Sequence, residues 1–122
     1  GEMSRVRLAL KTGLVDADEI GTLIFDEIDT GVSGKTARKV GEKMSLLGKK
    51  RQILCITHLP QIAAMADNHF RIEKHVAEGR TTTTVETLDE NASCREIARL
   101  MGGEEITETT MAAARELRRE KP

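Results

Sequence analysis

Asp26 and Glu27 stand side by side where the apolar run Thr22-Leu-Ile-Phe25 stops. An uninterrupted run of this kind is expected of a parallel strand buried on both faces, and ligands of open α/β sheets bind at the carboxyl ends of such strands. Neighbouring residues on a strand point in opposite directions, so the two carboxylates cannot share one task. In a functional reading, Asp26 reaches a metal ion, usually through water, while Glu27 orients and deprotonates an attacking water. The plainer alternative is a solvated acidic turn. His58 closes a second apolar run, Ile53-Leu-Cys-Ile-Thr57, and lies 32 residues after Asp26, about what a helical crossover needs. An imidazole there could contact a terminal phosphate and the water attacking it, although a lone histidine at a strand end is usually structural.

These residues need elements to hold them. Ser33 can cap a helix with Ala37, Val40, Met44 and Leu47 on one stripe, closed by Gly48 with Lys49-Lys-Arg51 beyond. With the two flanking strands this reads as a βαβ unit, right-handed by default. Upstream, Ser4 can cap a helix carrying Val6, Leu10 and Leu14, ended by Asp16-Ala-Asp-Glu19. Downstream, Pro60 suits a first helical turn that Ile62 to Ala66 continue. Phe70 and Ile72 alternate with polar residues, Glu78-Gly-Arg80 turns the chain, and Thr81 to Leu88 is rich in β-formers, which predicts a hairpin. Ser93 or Asn91 can cap a helix ending at Gly102-Gly103, and Thr107 a last one to about Arg119. The fold class predicted is α/β: parallel strands with crossover helices, a β-hairpin and C-terminal helices.

At 122 residues the chain is one domain at most, and 39% hydrophobic content suffices for a modest core. Nineteen Lys and Arg against 20 Asp and Glu give a net charge of −1, so a charge-dependent partner must be met by a local patch. Two Phe, with no Tyr or Trp, disfavour a base-stacking platform. Cys55 and Cys94 read as reduced thiols of a cytosolic chain, and neither a signal peptide nor a run of 18 apolar residues is seen. The chain opens on Gly1, with its first Met at Met3, as an excised piece of a longer protein would. Met3, Met44, Met65, Met101 and Met111 read as gap-filling core residues. His69 and His75 lack metal-ligand spacing with the cysteines, so no structural zinc is proposed. Lys49-Lys-Arg51 and Arg115, Arg118, Arg119 and Lys121 could touch DNA phosphates, but Glu116 and Glu120 make the last helix read rather as a solvated face.

Gly31-Val-Ser-Gly-Lys-Thr36 imitates a phosphate-binding P-loop. The pattern needs Gly at position 29, where Asp29 stands with a charge that repels phosphate.

Leu23-Ile-Phe-Asp-Glu27 resembles the Walker B strand of ABC-type ATPases, Asp29-Thr-Gly-Val-Ser-Gly34 their D-loop, and His58 in Ile56-Thr-His-Leu-Pro-Gln61 their switch histidine. Gly1-Glu-Met-Ser-Arg5 is similar to the tail of their signature motif. Within that superfamily, Phe25-Asp-Glu-Ile-Asp-Thr-Gly-Val-Ser-Gly34, Thr57-His-Leu-Pro-Gln-Ile-Ala63 and Met101-Gly-Gly-Glu-Glu-Ile-Thr107 most closely resemble the RecN family of bacterial, SMC-like DNA repair ATPases. The resemblance covers nearly the whole chain. It implies the C-terminal half of an ATPase head, with the N-terminal Walker A half and a coiled coil lying elsewhere in the polypeptide. It further implies ATP and Mg²⁺ as cofactors, with Asp26 supporting Mg²⁺, Glu27 as general base and His58 sensing the γ-phosphate. Asp29 would cross a dimer interface, and Gly1 and Glu2 would belong to the segment that meets the γ-phosphate held by the other subunit. The partners implied are the Walker A half of the same head, a second head in a homodimer, and DNA, with no membrane. The role implied is ATP-driven recombinational repair of DNA double-strand breaks, in the bacterial cytoplasm at the nucleoid. Without its other half the chain is expected to be inactive. The alternatives are an ABC-type head of another SMC-like or transporter protein, and a non-catalytic interaction domain.

Overall fold

Alternation along Thr22-Leu-Ile-Phe-Asp26 becomes two faces in strand β1 (Thr22–Asp26), with Leu23 and Phe25 buried and Ile24 62% exposed. The computed structural model describes residues 21–26, 34–102 and 105–122, and the predicted first helix and its Ser4 cap lie outside them, as does the Ser33 cap. Strand β2 (Gln52–Ile56) pairs with β1 in parallel, from Thr22 opposite Gln52 to Asp26 opposite Ile56. Helix α1 (Gly34–Gly48) is the crossover between them. Its stripe of Ala37, Val40 and Met44 packs with Leu23, Phe25 and Ile62 in one core, against which Leu47, Ile53, Cys55 and Leu59 are half-buried.

Only one face of this strand pair is covered among the described residues. Ile24, Leu54 and Ile56 share the other face and are 62%, 45% and 47% exposed, which corrects the expectation of burial on both sides. An apolar run is the same string whether one face or both are covered, so the difference is not visible in it.

Helix α2 (Pro60–Ala63) is shorter than predicted. Leu59 enters it with extended backbone, Pro60 takes the first turn, and Ala64 to Ala66 continue as single turns, with Ala66 N–H donating to the Ala63 carbonyl at 3.2 Å. Helix α1 meets the α2 backbone and the Met65 side chain beyond it at Gly41. A Cβ placed there would lie 2.9 Å from Met65 Cγ and 3.0 Å from the Gln61 carbonyl oxygen, so only glycine admits this approach.

Strands β3 (His69–Ala77) and β4 (Arg80–Leu88) form the predicted antiparallel hairpin. Its two-residue loop needs positive φ at both positions, and Glu78 (51°) and Gly79 (73°) supply it. Helices α3 (Glu90–Gly102) and α4 (Glu108–Arg119) enclose a second core of Ala63, Ala64, Cys94, Ile97, Ala98 and Ala114. The α3 cap is neither Ser93 nor Asn91. Asp89 does the work, its carboxylate accepting from the Ala92 N–H at 2.8 Å, while Ser93 is buried inside the helix. Thr107 caps α4 as predicted, exchanging hydrogen bonds with Thr110 in a capping box. Met44 and Met65 are core residues and Met111 packs against the second core, but Met101 is 40% exposed. Neither cysteine is in a disulfide.

Candidate functional site

Asp26 ends β1, and His58 lies two residues beyond the end of β2. Because the strands are parallel and in register at Asp26 and Ile56, both side chains come to the same carboxyl edge, on neighbouring strands about 4.8 Å apart. Both are exposed. The backbone around His58 is held by its neighbours: the Thr57 hydroxyl accepts from the Leu59 N–H at 3.0 Å, a local turn that closes directly across His58. Leu59 then delivers the chain into α2. Three residues after His58, the Gln61 amide lies against the opening of α1, its Nε2 3.4 Å from where a Cβ on Gly34 would stand. Sequence reasoning missed Thr57 and Gln61, although a threonine two residues before an unpaired helix-entry N–H is a legible local signal.

Glu27, Asp29, Gly1 and Glu2 lie outside the described residues, as does most of the P-loop imitation. Among the described residues, no three His, Cys, Asp or Glu side chains are grouped to hold a metal ion.

The cations of the last helix are mostly engaged. Arg118 lies in the centre, its Nη1 donating to the Ala64 and Ala66 carbonyls at 3.1 and 2.5 Å, and its Nη2 to Glu90 at 2.7 Å. This hydrogen bond from Arg118 holds the exposed Glu90 carboxyl below its usual range. Lys121 pairs with Asp67 and Arg119 with Glu116. These pairings favour the solvated face over a DNA-phosphate stripe. A groove of about 410 Å³ beside them is lined by Glu90, Asn91, Cys94, Arg115, Arg118 and Arg119. The Cys94 thiol there is pushed up by burial, away from the thiolate form a nucleophile needs.

No family model matches the chain. Curated relatives do. The DNA repair protein RecN of Bacillus subtilis is 47% identical over 117 residues, which is 96% of this chain and 20% of that protein. RecN of Halalkalibacterium halodurans is 48% identical over 96% of the chain and 21% of its own length, and RecN of Treponema pallidum 46% over 98% and 21%. Over nearly its whole length the chain is thus similar to RecN. It spans about a fifth of the length of these RecN relatives. A solved SMC ATPase, studied for ATP-driven dimerization and DNA-stimulated activation, superposes with a TM-score of 0.66 over 86% of this chain and 63% of that one, at 19% identity. The RecN-like chain therefore shares its α/β fold with part of that SMC ATPase.

A second polar cluster in the RecN-like chain pins the hairpin to α3. His69 Nδ1, at the root of β3, lies 2.7 Å from the Oγ of the buried Ser93. Burial first, then the positive charge of Arg118, holds the imidazole below its ordinary value, and Glu96 opposes them. The folded state therefore prefers neutral His69. Its contribution is fully present above about pH 6.5 and is lost as pH falls from there through the lowered folded value. Urea midpoints at about pH 7.5 and 5.5 measure this, with His69→Gln expected to shrink the drop; an equal drop in the variant would assign it to other groups.

Proposed function

We propose that the chain is the C-terminal half (residues 1–122) of an ATP-hydrolysing head of a RecN-like protein, which dimerises with ATP in recombinational repair of DNA double-strand breaks. The observation that supports this is that Asp26 and His58 follow one another at the carboxyl edge of two paired parallel strands linked through α1. The names of the RecN relatives and the SMC ATPase likeness support it. The open apolar face of Ile24, Leu54 and Ile56 supports it too, because a parallel pair is stable with both faces covered, and the Walker A half of the same head is the cover proposed.

In this reading Asp26 supports Mg²⁺ through water. Glu27, next along the strand exit, orients the attacking water and takes its proton. His58, held by the Thr57 turn, hydrogen-bonds toward the γ-phosphate. Asp29 faces a second head, and Gly1 and Glu2 belong to the segment that meets the nucleotide of that head. The Mg²⁺ of Mg-ATP supplies charge neutralisation on the phosphates. DNA is the partner, and the bacterial cytoplasm at the nucleoid the place. The chain alone lacks the phosphate cradle, so activity belongs to the intact protein.

Phosphate release by the intact protein tests this. Asp26→Asn and His58→Ala are each expected to slow turnover at least about tenfold, and Arg115→Ala to leave it unchanged. Normal rates in the first two would remove the assignment.

A further inference from the structure

The hairpin's outer strand has an edge that no described residue covers. Among the described residues β4 pairs only with β3, and Thr81 to Thr87 are exposed along their length. Ala77 and Arg80 flank the two-residue turn and so form a hydrogen-bonded pair. By the alternation of an antiparallel ladder, His75–Thr82, Glu73–Thr84 and Arg71–Glu86 are also hydrogen-bonded pairs. The backbone N–H and C=O groups of Thr81, Thr83, Val85 and Thr87 therefore point out from the free edge.

The two edges of the hairpin are not equivalent. β3 carries Arg71, Glu73 and Lys74 in its middle, the charges by which edges are usually blunted. β4 carries none from Thr81 to Val85, and is β-branched throughout that stretch. Its two bounding charges are of opposite sign, Arg80 and Glu86, and lie equally far from Thr83.

We propose that β4 pairs antiparallel with β4 of a second copy of this chain, on a two-fold axis at Thr83. In that register Thr83 faces Thr83 of the other copy and Thr81 faces Val85, all with outward backbone groups. Arg80 then faces Glu86 twice, which no neighbouring register achieves. The pairing also joins the exposed apolar faces of the two hairpins, each carrying Phe70, Ile72, Val76 and Val85. It needs no nucleotide, and it goes beyond the ATP-dependent head contact and does not depend on it.

Sedimentation equilibrium of the chain without nucleotide, from about 10 µM to about 1 mM, is expected to show a monomer–dimer equilibrium. Thr83→Pro removes an outward N–H while leaving the inner ladder intact, and Arg80→Glu sets like charges opposite each other. Each should raise the dimer dissociation constant at least about tenfold, with circular dichroism unchanged. Thr83→Cys places two thiols across the axis at a Cα separation of about 5.5 Å and should cross-link under mild oxidation. Thr82→Cys and the unsubstituted chain should not. A monomer throughout, or Thr82→Cys cross-linking as readily as Thr83→Cys, overturns the proposal.

Discussion

In the intact protein, Glu27→Gln is expected to retain ATP and lose turnover by about 10²–10⁴-fold. Gln has nearly the shape of Glu and still hydrogen-bonds the water, but it cannot accept the proton. If ATP held between two heads is what keeps them together, blocking hydrolysis prolongs the dimer. Asp26→Asn should behave differently, because removing a charge that supports the cation weakens Mg-nucleotide binding itself. Size-exclusion chromatography with ATP beside a phosphate-release assay separates the two. Near-normal hydrolysis in the Gln variant means that Glu27 is not the base.

Arg118→Ala is expected to cost about 2–4 kcal/mol of stability. The Arg118 side chain is only 12% exposed, and its guanidinium joins three elements at once: the carbonyls that follow α2, Glu90 in the first turn of α3, and its own helix α4. Truncation leaves the Ala64 and Ala66 carbonyls without this donor and removes the partner of Glu90. Arg118→Lys should recover less than half, since a single ammonium cannot reproduce a planar fork that reaches carboxylate and carbonyls together. Denaturant midpoints followed by circular dichroism measure both variants. A loss under about 0.5 kcal/mol for Ala would show that solvent replaces the whole set.

Much of this fold is written locally. The Ala37, Val40, Met44 stripe closed by Gly48, the apolar runs of β1 and β2, the Glu78-Gly79 turn and the Thr107 cap all depend on neighbours within a few residues, and all stand where the local rules put them. What escaped depends on distant partners. Ser93 is a good cap by type, yet His69 holds it 24 residues away in sequence, and Asp89 caps in its place. Arg118 reads as one more surface cation until the chain returns over 50 residues to bring Ala64 and Ala66 beneath it. Asp26 and His58 were legible as a pair because a parallel crossover makes successive strand ends neighbours.

Gly41 gives the region its stiffness. At Gly41 the α1 backbone meets the Gln61 carbonyl oxygen and the Met65 side chain directly, which leaves little room to absorb a shift. A tilt of the Gln61–Met65 stretch that follows His58 would thus press directly on the middle of α1, so the two elements would move as one body.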